Sequence, residues 1–82
     1  MKIEEHRKRI DEIDEKILRL LEERVAEASR IGEEKRKAGK PVKDPAREEE
    51  VLKHVAASTK LEADFTKKLF KMIVEYCRNE QN

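Results

Sequence analysis

Apolar residues recur along the first half of the chain with a helical period. Ile3, Ile10, Ile17 and Ile31 are separated by seven residues or a multiple of seven, and Ile13, Leu20, Leu21 and Ala28 flank them. Such spacing draws a wide apolar stripe down one side of a helix. Between residues 3 and 38 there is no proline and one glycine, Gly32, and most other positions hold strong helix formers. The pattern predicts one helix over about residues 3–38, roughly 50 Å long at ~1.5 Å per residue, which exceeds the width of a compact domain of this size. Such a helix overhangs its own chain, so its stripe requires a partner.

The punctuation that follows is equally regular. Gly39 suits a helix C-cap, Pro41 forbids continuation, and Asp44 before Pro45 supplies an N-cap carboxylate ahead of a proline at the first helical position. A second helix is expected over about 45–58, with Val51, Leu52, Val55 and Ala56 as its apolar face. A third is expected over about 62–80, with Phe65, Leu69, Met72, Ile73 and Tyr76 in one stripe, widened by Phe70, Val74 and Cys77, an edge that Gln81 continues. The expected fold is all-α: three helices, one long, one short and one medium, in a single domain over residues 1–82.

Composition limits what such a fold can do. Hydrophobic residues make up 37% and charged residues 48%, a balance that signals disorder only where apolar residues are scattered, and here they are periodic. The net charge of +1 gives no bulk attraction to nucleic acid or to an anionic membrane, and no basic stripe interleaved with aromatics appears. No apolar run approaches the ~18 residues that suggest a membrane span. The single cysteine, Cys77, excludes an intrachain disulfide, and the charged first ten residues do not resemble a signal peptide, so a cytoplasmic protein is expected. The sequence contains no clustered His, no paired Cys and no Gly-rich phosphate loop.

Candidate chemistry lies where charge interrupts the stripe. Arg24 occupies the register of Ile10, Ile17 and Ile31, where a guanidinium needs an anion. An internal salt bridge or a register-setting polar residue answers that need as well as a ligand does. Lys35, eleven residues on, lies on nearly the same face, with its backbone roughly 16 Å away, a span that two long side chains can close around a small dicarboxylate. Arg7 shares the register of Lys35 but lies roughly 25 Å from Arg24 along the axis. Only an antiparallel second copy of the helix brings it near; otherwise it is one of twenty basic residues on solvated faces.

The run Arg7, Ile10, Ile13, Asp14, Leu20, Leu21, Arg24, Lys35, followed by Pro41, Val42, Asp44, Arg47 and Glu48, resembles the all-helical (type II) chorismate mutases over almost the whole chain. The resemblance implies an intertwined homodimer with two identical sites. It implies rearrangement of chorismate to prephenate without a cofactor, in aromatic amino-acid biosynthesis. By similarity, Arg24 and the other chain's Arg7 bind the two carboxylates, while Lys35 and Gln81 aim donors at the ether oxygen; Arg24, Lys35 and Gln81 are the catalytic set. Glu48, with the backbone near Asp44, accepts from the ring hydroxyl, and Arg47 positions this acidic pair and the pocket wall. Cys77 stands where relatives often carry a small hydroxyl or amide that contacts a carboxylate. Isochorismate pyruvate-lyases share the fold but lack the acidic pair, and a helical dimerisation scaffold is the alternative from a different class.

Overall fold

The structure, a computed structural model, describes residues 2–81 as three α-helices, α1 (Lys2–Ala38), α2 (Pro45–Ala57) and α3 (Ala63–Gln81), with no strand among the described residues. The boundaries differ by a residue or so from the expected ones. Glu62 stays outside α3, where its carbonyl accepts from the backbone N–H and the hydroxyl of Thr66 at 3.0 and 2.9 Å. At the end of α2 the N–H of Ser58 returns to the Val55 carbonyl and its hydroxyl donates to His54 O, so the helix stops at Ala57.

Both turns that frame the connector follow from side-chain chemistry. Gly39 adopts φ +69°, the left-handed region open to glycine, and its N–H donates to Arg36 O while the N–H of Lys40 reaches Lys35 O at 2.8 Å. This pair of bonds is a Schellman cap, and it satisfies carbonyls that the end of a helix leaves unpartnered. Asp44 caps α2, with its Oδ1 accepting from the Arg47 N–H at 3.1 Å, ahead of Pro45 at the first helical position.

Helix α3 packs against both other helices, whereas α1 and α2 do not pack on each other. The contacts are made by small residues: Ala28 and Gly32 of α1 and Thr66 and Cys77 of α3 are the buried positions of those helices. Residues 2–20 are exposed throughout, because α3 covers α1 only from Leu21 onward. The chain therefore measures 57 × 23 × 15 Å, and its radius of gyration of 15.9 Å exceeds the ~12 Å of a compact chain of this length. Its accessible surface is 7018 Å², against about 5,100 Å² for a compact monomer of its mass. Much of the excess is apolar. Ile10, Ile17, Leu20, Met72 and Tyr76 each leave half or more of their surface uncovered. The stripe on α1 thus exists as expected, and this chain alone does not bury it. No helix is long and apolar enough to cross a membrane among the described residues.

Candidate active site

The gap between α1 and α2 is floored by α3 and forms a cleft of about 280 Å³. That is near the small end for ligand sites, suited to a compact molecule. Arg24, Glu27, Ala28, Ile31 and Lys35 line it from α1, Val42 and Asp44 from the connector, and Arg47, Glu48 and Val51 from α2; Val74, Cys77, Arg78 and Gln81 line it from α3. Residues up to 57 positions apart in sequence, from Arg24 to Gln81, share this one space.

Two cations of α1 dominate its electrostatics. Arg24 is half-buried and its Nη1 donates to Cys77 Sγ at 3.0 Å; Lys35 is half-buried and its Nζ donates to the Val42 carbonyl at 2.7 Å and approaches Gln81 Oε1 at 3.5 Å. Neither forms an ion pair with a carboxylate among the described residues. The internal salt bridge that would have explained Arg24 is therefore not made, and both groups keep donors free for an anion. The Gly39 cap is what turns the connector back so that Val42 can meet Lys35. Through Oε1 the Gln81 amide faces Lys35, which leaves its NH₂ group as a second donor.

Glu48 shares the cleft wall with two other acidic residues, Glu27 and Asp44, and its orientation is set by a residue that the sequence reading passed over. Arg78 Nη1 donates to both Glu48 oxygens at 2.9 Å, with both side chains about three-quarters buried. Every other ion pair among the described residues joins positions three or four apart on one helix, and such exposed pairs contribute little. Arg47 was expected to position the acidic pair. Its guanidinium pairs with Glu50, one turn along the same helix, its backbone N–H donates to the Asp44 cap, and the residue remains in the cleft lining. One oxygen of the Asp44 carboxylate thus starts α2, while the residue itself stands at the edge of the cleft. The helical register could have identified Arg78: it follows Val74 by four residues and precedes Gln81 by three, so it lies on the edge of α3 that carries both.

Arg7 lies on the exposed N-terminal half of α1, paired with Glu4 at 2.8 Å, and does not line the cleft of its own chain. Cys77 is 3% exposed and lies between the cleft and a groove of about 610 Å³ lined by Leu18, Leu21, Val25, Leu69, Met72 and Tyr76. His6 and His54 are exposed. No cluster of side chains able to hold a metal occurs among the described residues.

Comparison with known proteins gives concordant findings. The family model described as chorismate mutase type II matches residues 6–82. A chorismate mutase of Methanocaldococcus jannaschii is 36% identical over 78 residues, covering 92% of this chain and 79% of that protein. A bifunctional chorismate mutase/prephenate dehydratase of Aquifex aeolicus is 53% identical over 53 residues, which cover 65% of this chain; the match spans only 15% of that longer protein. Among solved structures, the chorismate mutase (form II) of Thermus thermophilus superposes with a TM-score of 0.94 at 34% identity, over 99% of this chain and 94% of that one.

Proposed function

This chain belongs to the type II chorismate mutase family, and on that premise we propose that it rearranges chorismate to prephenate in the cleft between α1 and α2, as a step of aromatic amino-acid biosynthesis. The observation that carries the proposal is the convergence of Arg24 and Lys35, cations without carboxylate partners among the described residues, on one small cleft that also holds an oriented carboxylate and an amide.

The reaction explains why those groups suffice. It is a unimolecular pericyclic rearrangement, in which a carbon–oxygen bond breaks as a carbon–carbon bond forms, with no proton to transfer and no nucleophile to supply. Rate is gained by holding the compact conformer and by stabilising negative charge that grows on the ether oxygen. Arg24 binds one carboxylate by charge-assisted hydrogen bonds. Lys35 and Gln81 present an ammonium and an amide N–H to the ether oxygen; Lys35, already anchored on Val42 O, has little reorganisation left to undergo. Glu48, fixed by Arg78, retains lone pairs to accept from the ring hydroxyl.

We further infer that two copies pair antiparallel, each long helix lying over the other chain, so that Arg7 of one copy supplies the second carboxylate ligand in the other's cleft. The uncovered apolar stripe and the groove beside Cys77 support this, as does the excess surface of roughly 1,900 Å² per chain, enough for an obligate interface. The chain then acts as one catalytic domain per protomer. We assign it to the cytoplasm, where its single thiol stays reduced.

The test is to incubate the purified protein with chorismate and with isochorismate, follow absorbance and identify products by NMR. Prephenate from chorismate is expected. Salicylate and pyruvate from isochorismate would replace the mutase assignment with a lyase, and a folded protein that turns over neither would refute the catalytic role.

A further inference from the structure

The last turn of α3 approaches α1 more closely than side chains normally permit. Gly32 is buried, and a Cβ placed on it would lie 2.9 Å from the Cα, the Cβ and the carbonyl oxygen of Gln81. Carbon atoms ordinarily keep ~3.5–4.0 Å apart, so any side chain at position 32 pushes the end of α3 away by roughly 1 Å. Glycine is among the poorest helix formers, yet it stands inside a 37-residue helix of good ones, which is explained by close approach and not by local preference. One turn further along α1, Arg36 Nη1 donates to the Gln81 carbonyl at 2.6 Å. That carbonyl belongs to the group that a helix end leaves without an N–H partner, and a cation there also complements the helix dipole. Lys35, between them, reaches the Gln81 side chain.

We propose that Gly32 and Arg36 are positioning residues that clamp the last turn of α3, aiming the Gln81 amide into the cleft beside Lys35. The proposal rests on the role given above to Gln81 at the ether oxygen. Arg36 is exposed, where a single hydrogen bond to a neutral carbonyl adds little to overall stability, so its effect is on orientation. Gly32 fixes the distance between the helices and Arg36 fixes the rotation and order of the terminal turn. Neither touches the cleft, since the residues lining it pass from Ile31 to Lys35.

The experiment is steady-state kinetics with chorismate on the full chain carrying Gly32→Ala, Arg36→Met, Arg36→Lys or Gln81→Ala, and on Gly32→Ala and Arg36→Met each combined with Gln81→Ala, with thermal melts to identify the folded variants. Gln81→Ala is expected to lower kcat by about 10²-fold. Gly32→Ala and Arg36→Met are each expected to lower kcat about tenfold with KM within about twofold, and Arg36→Lys to recover most of the loss. In the Gln81→Ala background the same substitutions should cost less than about twofold more, because the group they aim is already gone. An undiminished loss in that background overturns the clamp, as does an Arg36→Met variant with the parent kcat while Gln81→Ala is impaired. Full activity of Gln81→Ala would instead remove the role of Gln81 itself, an outcome separable from failure of the clamp because it appears in the single variant. Arg36→Met decides the matter if Gly32→Ala fails to fold.

Discussion

Replacing Arg24 by leucine should separate function from stability. The guanidinium is half-buried, makes no ion pair among the described residues and is held only by a bond to the Cys77 thiol. Removing it therefore breaks no salt bridge among the described residues and adds an apolar side chain to a stripe that is already apolar. The melting temperature is expected to stay the same or rise by a few degrees, on a scale where about 1 kcal/mol shifts a domain of this size by ~4–8 °C. Activity should respond oppositely. A bidentate pair with a substrate carboxylate contains two charge-assisted bonds, each contributing about 1.5–3 kcal/mol, so its loss corresponds to roughly 10²–10⁴ in kcat/KM. Initial rates from the loss of chorismate absorbance, with thermal melts by circular dichroism at matched protein concentration, measure both effects. A variant that keeps kcat/KM within about threefold of the parent refutes the carboxylate assignment. A large fall in melting temperature would show that Arg24 is structural.

Two other substitutions test the remaining walls of the cleft. Glu48→Gln halves the contact with Arg78 and leaves a partly buried cation without its counter-charge, so a loss of about 1–2 kcal/mol is expected by chemical denaturation, together with a raised KM for chorismate; unchanged stability would mean that the Arg78 pair is as weak as an exposed one. Cys77→Ser keeps an acceptor for Arg24 and supplies a stronger donor, so KM should fall by up to about threefold with kcat little changed, while Cys77→Ala should raise KM. Indistinguishable kinetics for the two variants would show that the thiol does not support Arg24.

What the sequence disclosed and what it withheld divide along a physical line. Caps and stripes act within a turn or two of one helix, and the features of that kind were legible: the Gly39 and Asp44 caps, the three helices and the overlong apolar stripe. The register of Arg24 and Lys35 likewise brought both to one face. Partners chosen across helices were not legible. Glu48 has basic residues nearby in sequence, and nothing local favours Arg78, thirty positions away, over Arg47, because the choice depends on the rotation of α3 against α2. Gly32 looks like a mild flaw in a good helix until α3 is laid against it, when the 2.9 Å approach to Gln81 gives it a purpose. The resemblance supplied the reaction, which no spacing alone contains, and the type II family match extends over residues 6–82.

The central claim is that one site is built from two copies of this chain and rearranges chorismate, and subunit complementation tests it most directly. Arg7→Ala and Arg24→Leu chains, each nearly inactive alone, would be refolded together in equal amounts. Random pairing makes about half of the dimers mixed, and each mixed dimer has one doubly impaired site and one intact site, so about a quarter of the parent rate of prephenate formation is predicted. A mixture no more active than the average of its two components would contradict the shared site and return Arg7 to the solvated face of α1.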